Sequence, residues 1–209
     1  MINQRKITIG YDDSTRERVY VYMERKTNSL NKKSQREGMI IDNGNGMWMV
    51  EEYLNTSNVK VRLMGTNFTQ TVQWYRLQDG HIKNPFRKNK FGGYIGVDEN
   101  NQAFDFKDEY INRAYHLWFN MLQRVGENDM YNNVSICGRW LCFAEFLKDL
   151  PSIKGYNEWL LAGKYEYVLD KDILQQGIDN KVYSVDTCCF VTIHENLKFK
   201  DYEKPVTRG

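Results

Sequence analysis

The chain has 209 residues, of which 41% are hydrophobic, 27% charged and 14% aromatic, and its formal net charge is +2. This composition excludes a low-hydrophobicity chain that stays unfolded, and the length suits one large or two small domains. The charge is divided: residues 1–90 carry 16 Lys and Arg against 9 Asp and Glu, and residues 91–209 carry 13 against 18. The first part, at +7, is a candidate for binding phosphate, whereas the second, at −5, would repel it unless a metal or a local basic patch intervenes.

The basic part, residues 1–90, is predicted to be a β-rich domain. Residues 1–25 are expected to form a hairpin, and residues 26–36 are polar and basic, which is typical of a linker or flexible loop. Residues 38–86 contain three or four short strand patterns separated by Asn- and Gly-rich turns, and in residues 59–63 apolar and basic side chains alternate. Spacing of this kind predicts a small barrel or curled sheet.

The same part carries basic and aromatic side chains that are candidates for contact with nucleic acid. Trp48, Trp74 and Tyr75 lie near basic strand residues in the sequence, and such a surface binds phosphate by charge and bases by stacking. Alternatively, these aromatic side chains form the core of the small domain. The candidate nucleic-acid-binding residues are Lys60, Arg62, Arg76, Arg87, Lys88 and Lys90.

Residues 91–209 are predicted to form an α+β domain. Apolar residues recur at three- and four-residue steps over 107–124, which predicts an amphipathic helix, and further helices are expected near Arg139 and over 157–161. Residues 165–171 and 187–192 are predicted as strands joined by a long loop, and a short terminal helix follows them. We therefore expect an α+β protein with two domains, divided near residue 90.

Common catalytic and metal-binding motifs are absent from the sequence. The glycines at 92–96 lack the Gly-Lys-Ser/Thr of a phosphate loop, and no nucleophile elbow or His-Glu-x-x-His occurs. The four cysteines do not have zinc-site spacing and are expected to be reduced thiols. Since no apolar run is long enough for a signal peptide or a membrane span, we expect an intracellular, soluble protein without a membrane partner.

One segment concentrates residues that can carry chemistry. Asp170, Lys171 and Asp172 follow a predicted strand, and His194 and Asn196 lie at the start of the last helix. Because the second strand returns the chain, these positions could converge on one cation or phosphate. Alternatively, residues 170–172 form a solvated strand end with local ion pairs, and His194 and Glu195 are no more than polar residues in the first turn of the helix.

The order of several motifs carries a family resemblance. The matching residues are Ala114, Tyr115, Trp118, Met121, Leu122 and Arg124, then Val134, Ile136, Cys137, Trp140, Phe143 and Phe146, then residues 169–174, Gly177, Asn180, Lys181, Tyr183, Ser184 and residues 187–191. In this order, over about 107–199, the chain resembles the divergent phage-type form of the HNH (His-Me finger, ββα-metal) endonucleases. The resemblance implies a ββα core at about 165–200, a DNA partner, a divalent metal such as Mg²⁺ and a place in the cytoplasm of a bacterial host.

In that family an Asp binds the metal and the adjacent His activates water. Asp170 matches the Asp, but Lys171 occupies the position of the His, and a solvated lysine, with a pKa of about 10, is a poor base at neutral pH. The resemblance therefore implies Asp170, Asp172 and His194 as metal ligands and leaves Lys171 and His194 as catalytic candidates.

Two functional hypotheses follow. The chain is either a metal-dependent endonuclease or a catalytically inactive relative that binds and inhibits a host protein, such as a defence nuclease. For the second hypothesis, acidic residues that would suit a basic partner groove are Asp98, Glu99, Asp105, Asp108 and Glu109.

Overall fold

A computed structural model describes residues 4–12, 17–24, 32–163 and 166–202, with side chains for 32–163 and 166–199. These residues form two compact units. The first comprises the described residues up to Arg87 together with Val97–Ala103, and the second comprises Lys88–Gly96 and the described residues from Phe104 onward. The class is mixed α+β, as the sequence predicts.

The first unit is built on antiparallel strands. Strands β1 (Gln4–Asp12) and β2 (Glu17–Glu24) pair as the expected hairpin, whose turn residues 13–16 lie outside the described ones. Helix α1 (Lys32–Arg36) occupies part of the segment that we expected to be a linker, of which residues 26–31 also lie outside the described ones. A four-stranded sheet and a short helix follow, with the bounds β3 (Ile40–Asp42), β4 (Met47–Asn55), β5 (Asn58–Leu63), β6 (Thr69–Val72) and α2 (Trp74–Gln78).

The expectation of a small barrel is wrong for the described residues. The sheet has the order β3-β4-β5-β6, so it is an open antiparallel meander with β3 and β6 at its edges. Val59, Val61 and Leu63 on β5 are buried, and they pack with Trp48 and other apolar residues into the core of the unit. The alternation along β5 therefore gives the sheet one apolar face, and four strands cover that core without closing on themselves.

The second unit begins its regular structure with a long amphipathic helix, α3 (Glu109–Glu127). The Asp108 side chain caps it by accepting a hydrogen bond from the Ile111 N–H at 2.9 Å. Its buried face contributes Trp118, whose indole N–H donates to the carbonyl of Trp140 at 2.7 Å. Within the described residues, no helix has the length and apolar character needed to cross a membrane.

Short elements complete this unit. Their bounds are β7 (Val134–Ile136), α4 (Phe143–Asp149), α5 (Tyr156–Leu161), β8 (Tyr167–Asp170), β9 (Lys181–Tyr183), β10 (Cys189–Thr192) and α6 (Ile193–Tyr202). Strand β7 pairs in parallel with β9, a pairing that the sequence analysis did not predict. Strand β8 pairs antiparallel with β10, and α6 follows β10 directly, which gives a strand–loop–strand–helix unit.

Candidate functional site

The loop after β8 begins with a tight turn around a buried carboxylate. Asp170, opposite Cys189 in the β8–β10 pair, is only 4% exposed. Its Oδ1 accepts hydrogen bonds from the backbone N–H groups of Asp172 at 2.9 Å and Ile173 at 2.8 Å. These bonds engage one carboxylate oxygen in the turn, whereas Oδ2 accepts no hydrogen bond from the described residues. Burial without a cationic partner at hydrogen-bond distance makes Asp170 different from an ordinary surface carboxylate.

The two residues after Asp170 form an ion pair with each other. Lys171 Nζ donates to both carboxylate oxygens of Asp172, at 2.7 and 2.9 Å, and Lys181 Nζ donates to Asp172 Oδ1 at 2.8 Å. Lys171 is only 7% exposed, and its ammonium lies 4.8 Å from the centre of the Tyr131 ring. Burial acts to raise the pKa of Asp172, but the hydrogen bonds from the two lysines outweigh it and hold this pKa below its ordinary value. Asp172 is therefore a paired anion rather than an available metal ligand.

A buried amide holds the loop closed. Gln175 donates from Nε2 to the carbonyls of Lys171 at 2.7 Å and Val182 at 3.0 Å, and its Oε1 accepts from the Val182 N–H at 2.9 Å. Gln175 is 4% exposed, so it satisfies backbone groups that water does not reach. This side chain joins the start of the loop to β9, and the sequence analysis did not identify it.

The last helix contributes a polar side chain to the pocket that Asp170 lines. A pocket of about 230 Å³ is lined by residues of α3, the turn after it, β8, the following loop, β9 and α6. They are Arg124, Tyr131, Val168, Leu169, Asp170, Lys171, Asp172, Tyr183 and Asn196. Asn196 Oδ1 is shielded from solvent and has no hydrogen-bond partner among the described residues. A buried amide oxygen without a partner is costly, and because Asn196 lines the same pocket as Asp170, it points to a ligand that takes oxygen donors.

The pocket also has a cationic side. Arg124, near the end of α3, is exposed, and its guanidinium interacts with the hydroxyl of Tyr183. Burial raises the pKa of Tyr183, so this phenol is neutral at physiological pH. Among the residues that line the pocket, Arg124 and Lys171 balance the two aspartates, and Lys181, which pairs with Asp172, adds a further positive charge beside it.

His194 lies outside this arrangement. It is exposed and does not line the pocket, and its neighbour Glu195 accepts hydrogen bonds from the backbone N–H and hydroxyl of Thr192, at 2.9 and 2.8 Å. The Glu195 N–H donates back to the Thr192 hydroxyl at 3.2 Å, so these residues form a capping box at the start of α6. In the described residues no three His, Cys, Asp or Glu side chains come together as a metal site, and the set Asp170, Asp172 and His194 is therefore not assembled.

The basic residues expected to contact nucleic acid are largely paired. In the first unit, Lys60 and Arg62 both reach Glu51, at 3.6 and 2.8 Å, on the sheet face opposite the core. Arg76 lies against Tyr75 (3.1 Å from Nε to the hydroxyl), and Arg87 donates to Asn45 Oδ1 at 3.2 Å. In the second unit, Lys90 pairs with Glu127, while Lys88 is exposed.

The aromatic residues of the first unit divide between core and surface. Trp48 is fully buried, as the alternative interpretation of a core role expects, whereas Tyr75 is 54% exposed. Trp74 is half-buried, and the Arg36 guanidinium lies 4.0 Å from its ring centre and 4.7 Å from that of Tyr53. Trp74 therefore has packing partners within the first unit, in agreement with a structural role.

The acidic residues proposed for a protein partner are engaged in local structure. Asp98 accepts from the N–H groups of Asn100 and Gln102, Asp105 accepts from that of Lys107, and Asp108 caps α3. Glu99 and Glu109 are exposed. Asp98 and Glu99 belong to the first unit and the other three to the second, so the five residues do not lie together in one unit.

Comparison with known proteins yields no relative: no protein-family model matches the chain, and searches of curated proteins and of solved structures return no match.

Proposed function

We propose that the chain is a divergent HNH-type, DNA-binding protein whose second unit cleaves phosphodiesters with a divalent metal held by Asp170 and Asn196. The observation that carries the proposal is that Asn196, whose solvent-shielded Oδ1 has no partner among the described residues, lines the same pocket as Asp170. The strand–loop–strand–helix order of β8, β10 and α6 supports it, because one ligand then comes from the end of the first strand and the other from the helix.

The donor set fits a hard cation. Mg²⁺ is bound in proteins by one or two carboxylates with waters and substrate phosphates completing the shell, and an amide oxygen is a donor of the same hard type. Asp170 Oδ1 is already turned to two N–H groups, so a metal would take its other oxygen. A divalent ion held there would lower the pKa of a bound water and stabilise negative charge on a phosphate.

Arg124 is the residue that we assign to the substrate phosphate. Its side chain is exposed at the edge of the pocket, and a guanidinium matches the geometry of a phosphate group. It also reduces the repulsion of DNA expected from the acidic half, because Arg124, Lys171 and the adjacent Lys181 offset the charge of the two aspartates. Binding at this site is therefore expected to weaken as salt is added.

Lys171 is assigned a structural role and not that of a general base. Its Nζ donates to both oxygens of Asp172 and lies 4.8 Å from the centre of the Tyr131 ring, so it is held in an ion pair and not placed to take a proton from water. The Lys171–Asp172 pair stabilises the loop that contains Asp170. Lys171, at the position of the family's His, therefore has a structural role in the turn.

Cleavage of supercoiled plasmid in Mg²⁺ or Mn²⁺ tests the proposal. Asp170→Asn retains an oxygen for the turn but loses the charge, and we expect it to abolish cleavage while keeping DNA affinity. Asn196→Ala should do the same, and His194→Ala, an exposed position on the same helix, should cleave like the unmodified chain. Equal cleavage by Asp170→Asn and the unmodified protein, with melting temperatures matched, would overturn the assignment.

A further inference from the structure

A second, larger depression adjoins the metal pocket. Its volume is about 350 Å³, and it shares Arg124, Val168, Leu169 and Tyr183 with the pocket described above. Because these residues line both, the two depressions are adjacent and share a wall, and we call them together the groove and each of them one end of it. The further lining residues of the second end are Asn112, Arg113, His116, Leu117, Asn120, Met121, Trp159, Tyr167 and Ile193.

The two ends differ in chemistry. The metal end is lined by Asp170, Asp172 and Lys171, whereas the second end has apolar and aromatic walls, among them Tyr167 and the 40% exposed Ile193. Polar groups stand along the α3 side of the second end, where His116 and Asn120 are exposed. Apolar walls with a few polar groups at the edge are the usual composition of a site for a planar organic ligand.

Arg113 does not compete for such a ligand. Its guanidinium donates to the carbonyls of Trp159 at 2.5 Å and Ala162 at 3.1 Å, where it caps the end of α5, and it lies 4.3 Å from the centre of the Trp159 ring. The groups left to recognise a ligand at this end are therefore the ring of Tyr167, the apolar wall and the side chains on α3.

We propose that this second end binds a nucleobase of a single-stranded or unpaired substrate, next to the phosphate held at Arg124. The inference rests on the proposed function and specifies its substrate class. A nucleotide joins a charged phosphate to a planar, hydrogen-bonding ring, and the groove likewise joins a charged end to an apolar end that has polar groups at its edge. Arg124 lines both ends, so its side chain can bind the phosphate of a nucleotide whose base lies in the second end. A base within a duplex would have to leave the stack to enter, which favours unpaired strands.

The test compares two single strands that differ only in their bases. The full chain is titrated, without divalent metal so that nothing is cut, with a labelled oligo-dT strand and with a strand of equal length made only of abasic sugar phosphates. Both carry the same charge, and binding is measured by fluorescence anisotropy. We expect oligo-dT to bind roughly tenfold more tightly, the scale of stacking one base on an aromatic side chain.

Matched variants locate the effect. Tyr167→Leu should remove most of the preference for oligo-dT, whereas Tyr156→Leu, another partly buried tyrosine of the same unit that does not line the groove, should keep it. Asn120→Ala should reduce the preference, and Gln123→Ala, exposed on the same helix, should not.

The outcomes separate the two proposals. Equal affinity for the two strands, with both weakened by Arg124→Gln, would overturn the base site and leave the phosphate site standing. A preference for bases that survives Tyr167→Leu and Asn120→Ala unchanged would also overturn it. Failure to bind either strand would overturn the base site together with the nucleic-acid function on which it rests.

Discussion

Lys171 and Asp172 are neighbours in the chain and also form an ion pair, in which the Lys171 ammonium donates to both carboxylate oxygens at 2.7 and 2.9 Å. Side chains of consecutive strand residues point to opposite faces, so this pairing requires that the strand end first. The turn around Asp170 provides that end. As a consequence, the Lys171 ammonium is held against Asp172 instead of being solvated, and the stability of the loop should depend on this ion pair.

Removing the charge of Asp172 should destabilise the fold. Asp172→Asn leaves Lys171 buried without its anion, and we expect the free energy of unfolding to fall by about 3 kcal/mol. Urea denaturation followed by tryptophan fluorescence measures this change. Glu127→Gln, which breaks the exposed pair with Lys90, serves as the control and should leave the urea midpoint nearly unchanged. A similar, small effect of both substitutions would show that the Lys171–Asp172 pair does not hold the loop.

The same carboxylate should make stability depend on pH. The pKa of Asp172 is lower in the folded chain than in the unfolded one, so the unfolded state takes up its proton first as the solution is acidified. The contribution is fully present above the ordinary Asp pKa of about 3.9 and is lost as pH falls through the lower, folded value. Urea midpoints measured across this acidic range should fall more steeply for the unmodified chain than for Asp172→Asn. Parallel curves would refute the link.

Gln175 should also stabilise the loop, though less than the ion pair does. Gln175→Ala leaves the Val182 N–H and the Lys171 carbonyl without their buried partner, while the Val182 carbonyl keeps the Thr187 hydroxyl, and we expect a loss of about 2 kcal/mol. Gln176→Ala is the matched control, because Gln176 is exposed and donates only one bond of 3.3 Å to Ile173. Thermal unfolding compares the two, and equal melting temperatures would contradict this role.

A glycine next to the β10 strand should tolerate no side chain. Gly155, just before α5, has φ +83°, and a Cβ there would lie 2.4 Å from the carbonyl oxygen of Phe190 on β10. Gly155→Ala should therefore cost at least about 2 kcal/mol, from left-handed backbone strain together with the clash. Gly138→Ala has open space and no positive φ, and it should change stability little. Unfolding midpoints of the two variants test this prediction, and equal midpoints would contradict it.

The regular elements with strong patterns could be predicted from the sequence. Alternation marked β5, helical periodicity marked α3, and the β-rich runs ending near Asp170 and Thr192 marked β8 and β10. The parallel β7–β9 pair could not be predicted, since each strand has only three residues and the pairing is long-range. The prediction of a barrel was wrong because strand number and spacing alone do not determine whether a sheet closes.

The site could be predicted only in part, for reasons of local geometry. Asp170 could be predicted from its place at the end of a strand. Whether His194 or Asn196 faces the pocket depends on the rotation of α6, because helical residues two positions apart point about 200° apart around the axis. The capping box fixed by Thr192 and Glu195 leaves His194 exposed and brings Asn196 to the pocket. The Thr-x-x-Glu pattern was the signal in the sequence that could have set this rotation. Gln175 gave no signal, because nothing in a sequence distinguishes a buried glutamine of a loop from an exposed one.

The central claim is that Asp170 and Asn196 hold a divalent metal, and Mn²⁺ binding to the full chain, measured by titration calorimetry, tests it most directly. Asn196→Ala should weaken Mn²⁺ binding by at least roughly tenfold, the change expected even for partners outside the inner shell of a metal, and Asp170→Asn should weaken it further. His194→Ala should bind Mn²⁺ as the unmodified chain does. Binding that is lost in His194→Ala and retained in Asn196→Ala, or no Mn²⁺ binding by the folded chain, would contradict the account.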